Sequence, residues 1–318
     1  MWKLPTDART ASDALTALRQ QAVSQLGQEV AGLTDQAAHA KPTARRLIRF
    51  AVATELVAAR QDRGFASFER RGADHLETAL RRIHRDTALH HALRCIVEDH
   101  GQDTHAHAWR QRLTAVAPHA GPPRLDRNGL ADGRVYRLVQ ALAEARTRAK
   151  IWPGDNQDTG LAPALAPGLA ALYRKARAAG AAVVKADHPT PRQWDALARA
   201  TARVAQALRW IEARWPEGFK PERKAFDKLA KHAEALALAP ALRAAIADKR
   251  FQQHAQRHDA ALAPEALRLM HGLLADTPAQ WSGRIQRRLD PTLASPPNAR
   301  RVVASTPATD AEPAAQAA

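Results

Sequence analysis

Lys220, Lys224, Lys228 and Lys231 recur at spacings of four, four and three residues. At roughly 100° per residue, a helix carries these four ammonium groups within about a quarter of its circumference. Phe226, Leu229, Ala230 and Ala233 fall on the opposite side. Like charges one turn apart repel by roughly 0.2–0.5 kcal/mol per pair. A stripe with few interposed acids therefore costs stability unless an anion answers it, and the chemistry it suits is electrostatic capture of a polyanion. Arg284, Arg287 and Arg288 form a second cationic cluster on the last helix of the pattern.

The rest of the chain shares this bias. It has 318 residues, with 48 Lys and Arg against 32 Asp and Glu, a formal charge of +16. Such a surplus favours nucleic acid, polyphosphate or an anionic surface over neutral small molecules. The alternative for each cluster is a solvated helical face.

Motifs for covalent or redox chemistry are missing. The sequence has no G-x-x-x-x-G-K-[ST] loop, no G-x-G-x-x-G, no H-E-x-x-H and no G-x-S-x-G. Its carboxylates are dispersed and mostly sit near Arg or Lys at helical spacing, so the paired acids of a metal-dependent phosphohydrolase are not visible. Eight of the 14 histidines fall between His75 and His119, and His91 and Cys95 stand one helical turn apart. Two soft ligands on one face are not accompanied by the paired cysteines or His–carboxylate clusters of zinc sites, so neither a metal nor a cofactor is assigned. The reading is a non-enzymatic binding protein.

The elements that must carry these cations are helices. Alanine dominates, aromatic residues make up 5% and β-branched runs are nearly absent, which predicts an all-α fold without a sheet. A single cysteine suits a reducing cytoplasm, and no apolar run is long enough to cross a membrane. Leu15, Leu18, Val23, Leu26 and Val30 mark the first helix, and Pro42 interrupts the pattern. Helices are expected near Thr43–Arg60, Phe65–Val97 with a break near Gly72, Asp103–Val116, Arg134–Ile151 and Pro167–Gly180. Turn residues between Gly121 and Gly133 mark the candidate boundary between two bundles, 1–120 and 134–289.

Thr190 as N-cap and Pro191 at the first helical position open a long helix. Along it Trp194, Leu197, Thr201, Val204, Leu208, Ile211 and Trp215 form a heptad-like seam. Arg192, Arg199, Arg203 and Arg214 occupy the other face, with Trp210 among them; ordinary packing between helices is the leading reading for Trp210, and stacking on a guanidinium, a base or another chain is the alternative. After the lysine-striped helix, three shorter helices are expected up to about Leu289. The Ala, Pro, Ser and Thr tail, Ser295 to Ala318, is too polar and turn-rich to order itself, so 290–318 is read as disordered.

Several landmarks fall in one order: Trp152-Pro153, Pro167-Gly168-Leu169, Tyr173-Arg174-Lys175-Ala176-Arg177, Pro189-Thr190, Trp215-Pro216 and a closing helical pair from Ala266 to Leu289. Together they resemble the CHAD family, the conserved histidine α-helical domain, whose signature reads G-L-x-x-x-Y-R-[RK]-x-R. The resemblance spans about 134–289. It implies two bundles related by internal duplication, basic residues lining a central cavity or channel, and binding of inorganic polyphosphate on polyphosphate granules.

Matched residue by residue, the resemblance selects Arg174, Lys175 and Arg177 for phosphate binding. It also selects Arg199, the one retained cation of the second repeat's H-x-x-R-K-x-x-K pattern, whose other matched positions hold Asp195, Ala198 and Ala202. Around Ala235 to Leu242 the family's G-D-x-H-D-L is replaced by alanine and leucine. In the first half, His39 followed by Arg45, Arg46 and Arg49 is the counterpart of the first repeat. The expectation is a cytoplasmic, granule-associated polyphosphate binder that does not insert into membranes. The alternatives are a basic protein that grips nucleic-acid backbones without sequence preference and a structural module of the same fold.

Overall fold

Helix-forming residues so outnumber strand-formers that the backbone hydrogen bonds close locally, and the fold is all-α. A computed structural model describes residues 2–34, 44–59, 61–99, 105–118, 133–152, 160–212 and 216–290. Eleven helices lie among them: α1 (Ala11–Thr34), α2 (Ala44–Ala58), α3 (Arg63–Ile83), α4 (Arg85–Asp99), α5 (Ala106–Val116), α6 (Gly133–Lys150), α7 (Leu161–Val184), α8 (Pro191–Glu212), α9 (Pro216–Ala245), α10 (Lys249–Leu273) and α11 (Pro278–Leu289). The one extended pairing among the described residues is an isolated bridge between Thr10 and Gly160. None of these helices is long and apolar enough to cross a membrane.

Helix ends follow local chemistry. Asp62 and Asp248 each accept two backbone N–H groups at the starts of α3 and α10. Thr277 and Gln280 form a reciprocal capping box at α11, with proline at its first turn. The segment expected to break near Gly72 instead breaks at His84, between α3 and α4. Gly72 lies inside α3, where an added Cβ would meet an Arg148 guanidinium nitrogen at an ordinary 3.6 Å, so nothing there obliges the chain to turn. Proline misleads at one place: α7 starts at Leu161, six residues ahead of Pro167, where the helix is expected to open. α9 runs through Pro221 and Pro240 to Ala245, into the region expected to hold a separate helix. Two helices, α10 and α11, then follow α9 where three were expected.

One apolar core runs from Trp2 and Leu4 through α1, α2, α3, α6, α7, α8 and α9 to Trp281, Ile285 and Leu289 of α11. A smaller core joins α4 and α5, through Leu93, Ile96, Trp109 and Leu113, to Leu242, Ile246 and Phe251. Both cores draw on residues from before 120 and after 133. Packing thus crosses the division expected at 121–133: the 1–120 and 134–289 regions share cores and are not two self-contained bundles. Residues 121–132, the 291–318 tail, His39, Pro42, Arg214 and Trp215 lie outside the described residues.

α2 and α8 hold the centre. α2 packs against α1, α3, α7 and α8, while α8 packs against α2, α7 and most extensively α9. At Gly168, α7 approaches α2 so closely that an added Cβ would stand 2.8 Å from the Leu56 Cα and 3.1 Å from the Glu55 carbonyl oxygen. Only glycine permits that crossing.

The described seam of α8 is buried as its spacing predicts, from Trp194 to Ile211. Its other face departs from expectation. Arg203 is 9% exposed and Trp210 is fully buried, so Trp210 does not project among arginines. The amino-terminal residues cover it: Trp2 packs on Trp210 with ring centroids 6.2 Å apart, and the Trp210 Nε1 donates to Gln21 Oε1 at 3.1 Å. A helix enclosed on nearly every side reads as amphipathic only when its second covering layer is distant in sequence, as here.

Candidate anion-binding surface

Burial of carboxylates decides what the cations can do. Glu29, Glu55, Glu69 and Glu77 are each at most 3% exposed, and an ionised carboxylate in such a place requires a partner. Arg46 meets Glu29 at 3.2 Å. Arg70 and Lys175 both meet Glu55, at 2.9 and 2.8 Å. Arg148 meets Glu69 at 2.9 Å. Arg81 and Arg203 converge on Glu77 at 3.2 and 2.7 Å, and Arg203 also reaches Asp74 at 2.6 Å. Burial by itself lowers the pKa of the Arg203 guanidinium, but Glu77 and Asp74 outweigh it and hold the pKa above the ordinary arginine value.

Several residues selected by sequence for phosphate binding are therefore structural. Lys175, Arg46 and Arg49 belong to this group; Arg49 donates to Gln25 Oε1 at 3.2 Å and Gln206 Oε1 at 3.3 Å. Arg199 sits 3.2 Å from Asp195 and donates to Thr78 Oγ1 at 3.4 Å. Lys175, Arg199 and Arg203 do share a cavity of about 270 Å³ between α3, α7 and α8, but Asp74 lines it with them. The side chain of Arg45 lies outside the described residues.

On α11, Arg284 bridges Asp276 at 2.8 Å and Glu222 at 3.4 Å. Arg288 meets Glu222 at 3.1 Å, donates to the Gly218 carbonyl at 2.9 Å and lies over the Phe219 ring. Only Arg287 of that cluster is exposed with no acid of the described residues in reach. The predicted cations line separate cavities: Arg174 and Arg177 one, Lys175 and Arg199 a second, Arg284 and Arg288 a third.

The lysine stripe has the opposite character. Lys220, Lys224, Lys228 and Lys231 are all exposed, while Phe226, Leu229, Ala230 and Ala233 on the other side of α9 are buried as expected. The acids interleaved with the lysines turn away from them. Glu222 is held by Arg284 and Arg288, and Asp227 by Arg223 at 2.9 Å and Arg209 at 3.4 Å. Among the described residues, Lys228 alone of the four finds a carboxylate, Glu265 of α10 at 2.8 Å, which Arg268 also grips. Hydrogen bonds from these two cations drop the Glu265 pKa to about 2. Next to the stripe, burial, with Lys228 the next largest contribution, keeps the His232 imidazole pKa below its ordinary value, so it adds no charge near neutral pH.

Arg174 and Arg177 are also exposed and lie on the α7 face turned toward α10 and α11, away from Lys175. Beneath them Tyr173 stacks on Trp281 with centroids 4.7 Å apart and donates to the Leu273 and Asp276 carbonyls at 3.0 and 3.2 Å. The described residues gather no three His, Cys, Asp or Glu side chains in a metal-holding arrangement. A search against family models, curated proteins and solved structures finds no match to this chain.

Sequence spacing located the stripe correctly but missed the buried carboxylates that claim the other cations. The signal was present: Glu69, Ala73, Leu76, Glu77 and Leu80 share one face of α3. A glutamate within an apolar stripe predicts a buried ion pair.

Proposed function

We propose that this chain is a non-enzymatic polyanion-binding protein whose ligand is inorganic polyphosphate, and that it associates with polyphosphate granules. The observation that carries the reading is the exposed line of Lys220, Lys224 and Lys231, whose described neighbours Glu222 and Asp227 are held by arginines instead. Successive lysines four residues apart stand about 6 Å apart along the helix axis. A flexible chain of repeating phosphates can answer each in turn, where a compact anion cannot.

Charge balance supports the same reading. With a formal charge of +16, sixteen cations would be left over even if every acid held one. Because the buried glutamates take one or two cations each, the surplus collects on outer faces such as that of α9.

Calorimetric titration tests this. Long-chain polyphosphate should bind saturably at low salt, weaken steeply as salt rises and bind far more tightly than orthophosphate, because many screened contacts add. Absence of saturable heat, or an equal response to orthophosphate, overturns the proposal. Duplex DNA serves as competitor: if DNA displaces polyphosphate at the lower concentration, the protein is a nucleic-acid binder instead.

A further inference from the structure

A second surface departs from the stripe in chemistry. Between the carboxyl-terminal half of α7 and the α10–α11 connection runs an open groove of about 480 Å³, a volume in the range of small-molecule sites. Its floor is apolar. Gly180 of α7 lies so near α10 that an added Cβ would stand 2.7 Å from the Leu274 Cδ1 and 3.0 Å from the Met270 sulfur, which fixes a shallow trough on either side of the contact. Val184, 51% exposed, extends this apolar surface toward solvent.

The rim is cationic. Arg174, Arg177 and Lys185 line the groove, no Asp or Glu does, and none of the three has an acid of the described residues in ion-pair reach. A hydrated phosphate chain would satisfy the rim and leave the floor wet, while a neutral apolar molecule would do the reverse. The combination is matched by a molecule with one anionic head and a hydrocarbon body. Its tail covers Met270, Leu274 and Val184, and its head is attracted more strongly because the floor excludes water.

We propose that this groove binds a small anionic amphiphile, a medium-chain carboxylate or phosphate monoester. The site is separate from the α9 stripe, and the proposal stands or falls independently of polyphosphate binding.

The test is calorimetric binding to the full chain, below the micelle threshold, of decanoate, decyl phosphate, decanol, acetate and orthophosphate. At least one decyl anion should bind saturably and at least tenfold more tightly than decanol, acetate or orthophosphate, and the better of the two identifies the head group. Arg174→Glu with Arg177→Glu, and separately Val184→Asp, should each weaken that binding at least tenfold. All three positions are exposed, and circular dichroism checks that the fold is retained. Lys224→Glu should leave amphiphile binding unchanged, and Val184→Asp should leave polyphosphate binding unchanged. Equal binding of decanol, or decyl-anion binding untouched by the double arginine variant, overturns the proposal.

Discussion

The layer where α3 meets α2, α6 and α8 and the outer face of α9 are both rich in cations, yet they use them in opposite ways. In the first, Arg203, Arg81, Arg148 and Lys175 neutralise glutamates that the core has swallowed. In the second, the acids Glu222 and Asp227 face neighbouring helices and leave their lysines to solvent. The contrast shows that the burial of nearby carboxylates, more than the density of Arg and Lys, decides whether a basic residue serves the fold or remains available to a ligand. Ion pairs inside a protein are strongly destabilising to break singly, while exposed ones contribute little.

The most severe way to break this comparison is Arg203→Met, which strands Glu77 in the interior. It should destabilise the chain by about 3–5 kcal/mol, read as a lowered urea midpoint, with the polyphosphate affinity of the remaining folded protein little changed. Next in size, Lys220→Glu with Lys224→Glu and Lys231→Glu should do the converse. Polyphosphate affinity should fall on the order of a hundredfold at low salt, from about 1 kcal/mol per basic residue near an anionic surface, while the urea midpoint stays in place. If the stability effects of these two experiments were exchanged, the division into structural and available cations would be wrong.

Tyr173 lies between the two classes, close to committed Arg284 and available Arg177. Its hydroxyl is pushed up from the ordinary 10.0 to about 12, first by burial and then by the Asp276 carboxylate. A folded pKa above the unfolded one means that this contribution is whole below about pH 10 and is lost as pH rises through 12. Tyr173→Phe should cost about 1 kcal/mol at neutral pH and should flatten the alkaline decline in stability, measured as urea midpoint against pH. The smallest expected change sharpens the comparison by moving one residue across it. Glu265→Gln releases Lys228 into the stripe and should tighten polyphosphate binding about two- to fivefold, in line with the modest strength of an exposed pair.

The all-α class, the α8 seam and the buried side of α9 could be read from spacing because each depends on contacts every third or fourth residue. What could not be read depends on neighbours far away in the chain. Trp210 looked available because Trp2 and Leu4, its cover, lie some two hundred positions earlier. Lys175 matched a phosphate-binding pattern because Glu55, on another helix, is invisible to local periodicity. Pro167 marks a helix start by its chemistry alone, yet α7 continues through it from Leu161, because tertiary context overrides local propensity.

The amino-terminal cover of α8 also bears on how the molecule is made. Trp2 donates to the Gln206 carbonyl, a partner 204 residues away, and the Leu4 amide donates to the Trp210 carbonyl at 2.7 Å. During synthesis Trp2 and Leu4 must wait for some two hundred further residues before their docking place exists. Pairings of such long sequence separation form late and slowly. Until then Trp2 remains exposed to solvent and to chaperones, and its indole fluorescence would report the closing step of folding.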